Sequence, residues 1–287
     1  MKICIIGSNG QLGSDLCLEI NNHEIIPLTH KDIEIKDEKN CFDIITGIKP
    51  DIIINTAAFH NVPKCDTEPE NATAINIIGA KNLACIASKI NAELIHISTD
   101  YVFDGKKNSP YLETDTPNPL NFYAITKLAG ELAVQDFCDR YKIIRVGGIY
   151  GVIPCRAKGG TNFVASMLKL AGEKDELEVV ADEIITPTNT KDIARQIKAL
   201  LNIDEYGIYH VSNGGSCSWF EFAREIFDYC KIKIKLIPIP AERYPSTIKR
   251  PRYSVLENSR TKKLSVYLMP HWKEALISHL ETLFPTL

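Results

Sequence analysis

No apolar run among the 287 residues reaches the roughly 18–20 needed to cross a bilayer, which argues against a membrane span. The chain also lacks a dominant charge. A formal net charge of −3 gives no broad attraction for nucleic acid or an anionic membrane, although the short basic stretch "STIKRPR" (246–252) suits a phosphate-bearing small molecule. Paired cysteines are missing too: nine are scattered, an odd count with no CxxC. That speaks against a disulfide framework or a zinc site and for a reducing, cytoplasmic setting. None of the seven histidines forms an i, i+4 pair beside a carboxylate, so no metal is expected. Low-complexity tracts and internal repeats are absent. The N-terminal "MKICIIG" runs directly into a glycine motif and reads as a strand, not a leader.

What is present is an ordinary globular composition, 45% hydrophobic and 24% charged, long enough for one large domain or two smaller ones. Short Ile-rich runs at 2–7, 24–28, 51–57, 93–98 and 142–146 read as strands. Between them, 11–20, 37–48, 70–90 and 121–140 carry helical periodicity. Apolar strands alternating with helices predict an α/β fold, a doubly wound parallel sheet of the Rossmann type with ligands at the carboxyl ends of its strands. Residues 1–150 form the dinucleotide-binding domain in this reading, and 151–287 mainly a smaller C-terminal lobe that binds substrate. Helices are expected at 161–172 and 218–230, and a strand at 232–240. A stretch near 186–215 returns to the first domain, with 207–212 rejoining the sheet.

The turn "GSNGQLG" (7–13) follows the first strand and opens a helix, which suits a dinucleotide pyrophosphate at the helix N-terminus. Gly7 permits the tight turn, Gly10 lets the backbone approach the phosphates, and Gly13 allows helix and strand to pack closely. After the second strand, His30 and Lys31 stand beside Asp32 and Glu34. An acid suits a free ribose hydroxyl and a cation suits a 2′-phosphate, so NADPH and NADH both remain open; Lys31, first after the strand, tilts toward NADPH.

Tyr123 and Lys127 lie one turn apart where a helix begins, and Ser98, Thr99 and Asp100 end a strand at the ligand edge of the sheet. Reduction of a ketone needs a proton donor at its oxygen. A tyrosine, with an ordinary pKa near ~10, becomes more useful when a neighbouring ammonium favours its phenolate. Thr99 adds a hydroxyl to polarise the carbonyl. The three form a sensible constellation if a nicotinamide lies between them.

The glycine spacing resembles that of extended short-chain dehydrogenase/reductases. More specifically, "GSNGQLG" (7–13), "DIIINTAAF" (51–59), "HISTDYVFDG" (96–105), "ETDTPNPLNFYAITKLAGE" (113–131), "VVADEIITPT" (179–188) and "RPRYSVLENSRTKKL" (250–264) resemble the dTDP-4-dehydrorhamnose reductase family in one order along nearly the whole chain. The resemblance implies reduction of the 4-keto group of a nucleotide-linked 6-deoxysugar. Thr99, Tyr123 and Lys127 occupy the family's catalytic positions. Gly7, Gly10, Gln11 and Leu12 match its pyrophosphate turn, Glu34 and Ile35 fall near the adenosine, and Ala57 and Ala58 flank the cofactor. Asp100 and Tyr101 shape the active site, while Asn162 and Arg250 lie where the family contacts the sugar nucleotide. Relatives of this kind can form homodimers, but no stretch here specifies an interface.

Departures from the pattern bear on substrate. Gly148 stands where the family commonly has a tryptophan against the deoxysugar, a loss expected to open the pocket. Glu183 replaces a usual glutamine and Ile185 a usual glycine. Two other readings keep the same fold: an epimerase or dehydratase that recycles NAD, and a non-catalytic NADP-binding regulatory subunit. Intact Tyr123, Lys127 and Thr99 weigh against the second. His96 reads as a satisfied core residue, and Trp219, Phe220, Phe222, Phe227 and Tyr229 as lobe packing rather than a base-stacking platform.

Overall fold

Residues 1–153, 155, 159–244, 246 and 248–285 are described by a computed structural model; Thr247 of the basic stretch lies outside them. The first half runs β1 (Lys2–Ile6), α1 (Gln11–Glu19), β2 (Glu24–Leu28), α2 (Glu38–Ile48), β3 (Ile52–Asn55), α3 (Val62–Thr67), α4 (Pro69–Thr73), a π-helical segment Ala74–Gly79, α5 (Ala80–Lys89), β4 (Glu93–Thr99), α6 (Phe122–Phe137) and β5 (Tyr141–Val146). The second half continues with β6 (Ile149–Tyr150), α7 (Phe163–Ala171), β7 (Glu176–Val180), β8 (Ile184–Ile185), β9 (Thr188–Asn189), α8 (Thr190–Leu200), β10 (Gly207–His210), β11 (Cys217–Ser218), α9 (Trp219–Tyr229), β12 (Lys235–Ile239), α10 (Ser259–Lys263) and α11 (Trp272–Leu283).

The main sheet has six parallel strands in the order β10-β5-β4-β3-β1-β2. Its apolar strands are explained by two covered faces. Ile3, Ile5, Ile52, Ile54 and Ile144 pack with α1 and α8, while Cys4, Ile6, Ile53, Leu94 and Ile143 pack with α2, α5 and α6. Alternate residues of one strand thus feed two different cores. The chain order reverses between β1 and β3, the point where a doubly wound sheet opens a crevice at its carboxyl edge. A separate cluster forms the core of the C-terminal lobe: Val164 and Met167 of α7, Leu177 and Val179 of β7, Phe222 and Ile226 of α9, and Leu276 and Leu280 of α11. Among the described residues no helix is long and apolar enough to cross a membrane.

Two expected elements end or break early. The third strand stops at Asn55, because the Ala57 N–H turns back to the Asn55 side chain. The periodic stretch 70–90 is interrupted by the π-helical turn, whose buried Asn76 bonds the Phe59 backbone through both amide atoms and donates to the Thr126 hydroxyl. Such a turn satisfies tertiary partners that periodicity does not carry, and π-bulges recur at functional sites.

Between α6 and the sheet lies a buried charge pair. Arg145 of β5 donates to both carboxylate oxygens of Glu131 at 2.7 to 3.2 Å, and Ser98 of β4 donates to the same carboxylate. Glu131→Ala would leave Arg145 buried without its counter-charge. It should lower unfolding free energy by about 3–5 kcal/mol, seen as a fall in the urea midpoint at unchanged slope; an unchanged midpoint would show the pair to be energetically idle.

Candidate active site

Thr99 is the last residue of β4, at the carboxyl edge of the sheet, and its hydroxyl accepts the Tyr101 N–H (3.2 Å) to start a short 3-10 turn. Tyr123 sits in the first turn of α6. Asn121 caps that helix by accepting the Ala124 N–H at 2.9 Å, and its amide donates to the Lys249 carbonyl at 2.9 Å. One side chain therefore starts the tyrosine's helix and ties it to the segment carrying Arg250. The sequence reading missed Asn121, although Asn just before an apolar helix is a recognisable N-cap signal.

The structure brings Thr99, Asp100, Tyr101 and Tyr123 together. The Tyr101 and Tyr123 rings meet edge-on, centroids 6.2 Å apart. Burial pushes the Tyr123 phenol above its ordinary pKa; hydrogen bonding with Thr99 pulls it back, and the charge of Asp100 raises it. Burial likewise pushes Asp100 up to about 6, against the nearby Ser254 hydroxyl and a hydrogen bond from Thr99 at 3.0 Å. Spacing suggests an ammonium lowering the phenol's pKa, but here desolvation dominates. The Lys127 ammonium instead donates to the Ile97 carbonyl at 2.7 Å and approaches His96 Nε2 at 3.4 Å. Burial carries Lys127 down to about 8, with Glu131 opposing.

The glycine turn fits a pyrophosphate. Gly7 has φ of 79° and Gly10 stands at the N-cap of α1, so no side chain caps the first N–H groups of that helix; no acid lies in its first turn. A Cβ on Gly13 would stand 2.2 Å from the Gly7 carbonyl oxygen, and one on Gly7 would stand 3.1 Å from the Ala57 nitrogen. Gln11 and Leu12 are buried, and Gln11 donates to the Gly151 carbonyl. Ala57 and Ala58 follow β3, and the Ala57 nitrogen adjoins Gly7.

After β2, one oxygen of the Asp32 carboxylate accepts both the Thr29 N–H and the Thr29 hydroxyl, at 2.8 and 2.7 Å. Glu34 is flanked by His30 and Lys36. Lys31 is exposed, a cation at the strand end while the neighbouring acids are engaged. The Ile35 side chain is buried against Gly79.

On the opposite side, the buried Glu183 feels both the Arg250 cation and a hydrogen bond from the Trp219 indole, yet burial still raises its pKa. Arg250 and Glu183 also act on Tyr101, so this wall adjoins the tyrosines. Trp219, read from sequence as lobe packing, does pack on Phe163, ring centroids 4.6 Å apart, and also lies beside Glu183. Asn162 caps α7 and donates to the Gly151 carbonyl at 2.9 Å, so both ends of its amide are engaged. Gly148 does not leave a gap. Its φ is 56°, and a Cβ there would lie 2.8 Å from the Thr186 carbonyl and 3.3 Å from Ile185 Cδ1. Ile185 occupies the adjoining space, so two of the three departures seen in the sequence are neighbours in the fold.

A family model described as the RmlD substrate binding domain matches residues 1–284. The chain is 39% identical to the spore coat polysaccharide biosynthesis protein SpsK of Bacillus subtilis, covering 98% of this chain and 97% of that protein. It is 33% identical to the dTDP-4-dehydrorhamnose reductase of Escherichia coli, over 100% of this chain and 99% of that one. A crystal structure of dTDP-4-dehydrorhamnose reductase from Bacillus anthracis in complex with NADP superposes with a TM-score of 0.93 at 37% identity, covering 98% and 99% of the two chains.

Gly13→Ala should force the turn open at a cost of about 1–3 kcal/mol and weaken NADPH binding about tenfold or more in a fluorescence titration. Gly47→Ala, where a Cβ meets nothing, is the control and should leave affinity unchanged. Equal affinities in the two variants would contradict a pyrophosphate role for the turn.

Proposed function

The chain belongs to the dTDP-4-dehydrorhamnose reductase family, and we propose that it is an NADPH-dependent oxidoreductase that reduces the 4-keto group of a nucleotide-linked 6-deoxysugar. Conversion of dTDP-4-dehydro-L-rhamnose to dTDP-L-rhamnose is the lead reaction. The observation that carries the reading is the placing of Thr99 and Tyr123 beside each other at the carboxyl edge of the sheet, with the glycine turn on the same edge. The NADP complex of the Bacillus anthracis relative and the exposed Lys31 both favour NADPH.

NADPH, when bound, supplies the hydride. The turn from Gly7 to Leu12 would hold its pyrophosphate, with Ala57 and Ala58 alongside and Lys127 directed to the ribose. Tyr123 gives its proton to the carbonyl oxygen as the alcohol forms. Burial keeps that phenol protonated through neutral pH, so it enters as an acid, and only the charge developing on the oxygen draws the proton away. Thr99 holds the phenol in place and polarises the carbonyl. The lobe of residues 151–287 supplies the sugar-nucleotide side in this reading. Arg250 would meet the diphosphate through charge-assisted hydrogen bonds, while the Glu183 carboxylate would accept from sugar hydroxyls.

Tyr123→Phe keeps the ring and removes the proton. It should bind NADPH as the wild type does and lose turnover of dTDP-4-dehydrorhamnose by about 10²–10⁴-fold, followed as loss of nicotinamide absorbance. Wild-type rates in this variant would sink the assigned role.

A further inference from the structure

Behind Lys127 lies a polar pair that the mechanism above does not use. Asn55 of β3 and His96 of β4 face each other in the parallel ladder, and both are 1% exposed. Asn55 Oδ1 accepts the Ala57 N–H at 3.1 Å, which fixes the amide so that its Nδ2 donates to His96 Nδ1, also at 3.1 Å. A ring nitrogen that accepts carries no proton, so neutral His96 holds its single hydrogen on Nε2. Burial and the Lys127 charge both push His96 below its ordinary pKa, which keeps the ring neutral.

That Nε2–H points at Lys127 Nζ, 3.4 Å away. An ammonium has only donors, so in the charged state two hydrogens face each other. Once Lys127 has lost a proton, its lone pair can accept the Nε2–H, while another of its hydrogens still donates to the Ile97 carbonyl. From its own helix, Glu131 favours the ammonium, but that carboxylate is shared with Arg145 of β5 and Ser98 of β4.

We propose that His96, locked in one tautomer by Asn55, is a positioning residue that sets the proton state of Lys127, one helical turn along α6 from Tyr123. After the phenol has given its proton to the carbonyl oxygen, the phenolate must regain one. The Lys127 ammonium can release that proton through an intervening hydroxyl, and the resulting amine accepts the Nε2–H bond. No electrons move. The meaning of this for catalysis rests on the reduction reading; the tautomer and the lysine's proton state do not. The position of Lys127 near 8 agrees with a group that exchanges protons in the working range.

The first test is the tautomer. In full-length protein labelled with ¹⁵N-histidine, long-range proton–nitrogen spectra should place the His96 hydrogen on Nε2, its signal identified by its loss in His96→Gln. A hydrogen on Nδ1 would overturn the proposal. The second test inverts the lock. Asn55→Asp puts a carboxylate against Nδ1, moves the hydrogen there, and turns the Nε2 lone pair toward the ammonium. The Lys127 side-chain titration, assigned with Lys127→Met, should then rise by about one pH unit or more, and the matching limb of kcat/KM for NADPH oxidation should move to higher pH with it. In a His96→Phe background the same substitution adds the charge without the imidazole and should shift Lys127 clearly less; equal shifts in both backgrounds would overturn the proposal. An Nε2–H tautomer and a shifted lysine in a protein that oxidises no NADPH would refute the reductase reading and leave the His96 assignment standing.

Discussion

Lys127 is a cation drawn almost wholly out of water, 2% exposed between α6 and β4, and the rest of the site is arranged around what that burial demands. An ammonium in a dry interior is costly unless its hydrogens are taken up. Here the Ile97 carbonyl takes one, which presses the helix carrying Tyr123 onto the strand that ends in Thr99. Glu131, one turn further along α6, supplies the counter-charge and is itself bound to Arg145 of the next strand. The relative placement of phenol and threonine hydroxyl thus follows from the solvation needs of one lysine. The same burial brings that lysine down to about 8, so structural constraint and chemical readiness have one physical source.

At the other side of the crevice the constraint is steric. Gly7 and Gly13 are so close that a single Cβ on the latter would fall inside the contact distance of the Gly7 carbonyl. This closeness brings the start of α1 to the end of β1, with its leading N–H groups unclaimed by any side-chain cap. An anion there gains from both the free donors and the helix dipole. The glycine turn and Tyr123 therefore share one sheet edge because the strands are parallel and the chain reverses direction between β1 and β3.

Much of this was legible in the sequence where the signal is local. Apolar runs announced β1, β2, β4 and β5, and helical spacing alone put Tyr123 and Lys127 on one face. The end of the fourth apolar run, at the ligand edge of the sheet, brought Thr99 into the same site, and the family pattern agreed. What stayed hidden depends on residues far apart in the chain. Asn55 and His96 are strand residues whose pairing exists only once β3 and β4 align, and His96 read simply as core. Glu183 and Ile185 were visible as departures, but their partners Arg250, Trp219 and Gly148 come from other segments, so a gap was expected where Ile185 in fact packs. The π-helical turn at Ala74–Gly79 was unreadable for the same reason: it exists to aim Asn76 at Phe59 and Thr126. Helices α8 and α11 went unassigned, although α8 is strongly amphipathic and its apolar side closes the core over α1.

The most direct test of net reduction, as opposed to a recycled internal oxidation, is the fate of the hydride. The protein should be incubated with NADPH deuterated at the transferred position and dTDP-4-dehydro-L-rhamnose, and the sugar product examined by mass spectrometry and proton NMR. The account predicts one deuterium at C4 of the deoxysugar for each NADPH consumed, with the nucleotide intact. An altered sugar carrying no deuterium, formed without consumption of NADPH, would contradict it and point to epimerase or dehydratase chemistry on the same fold.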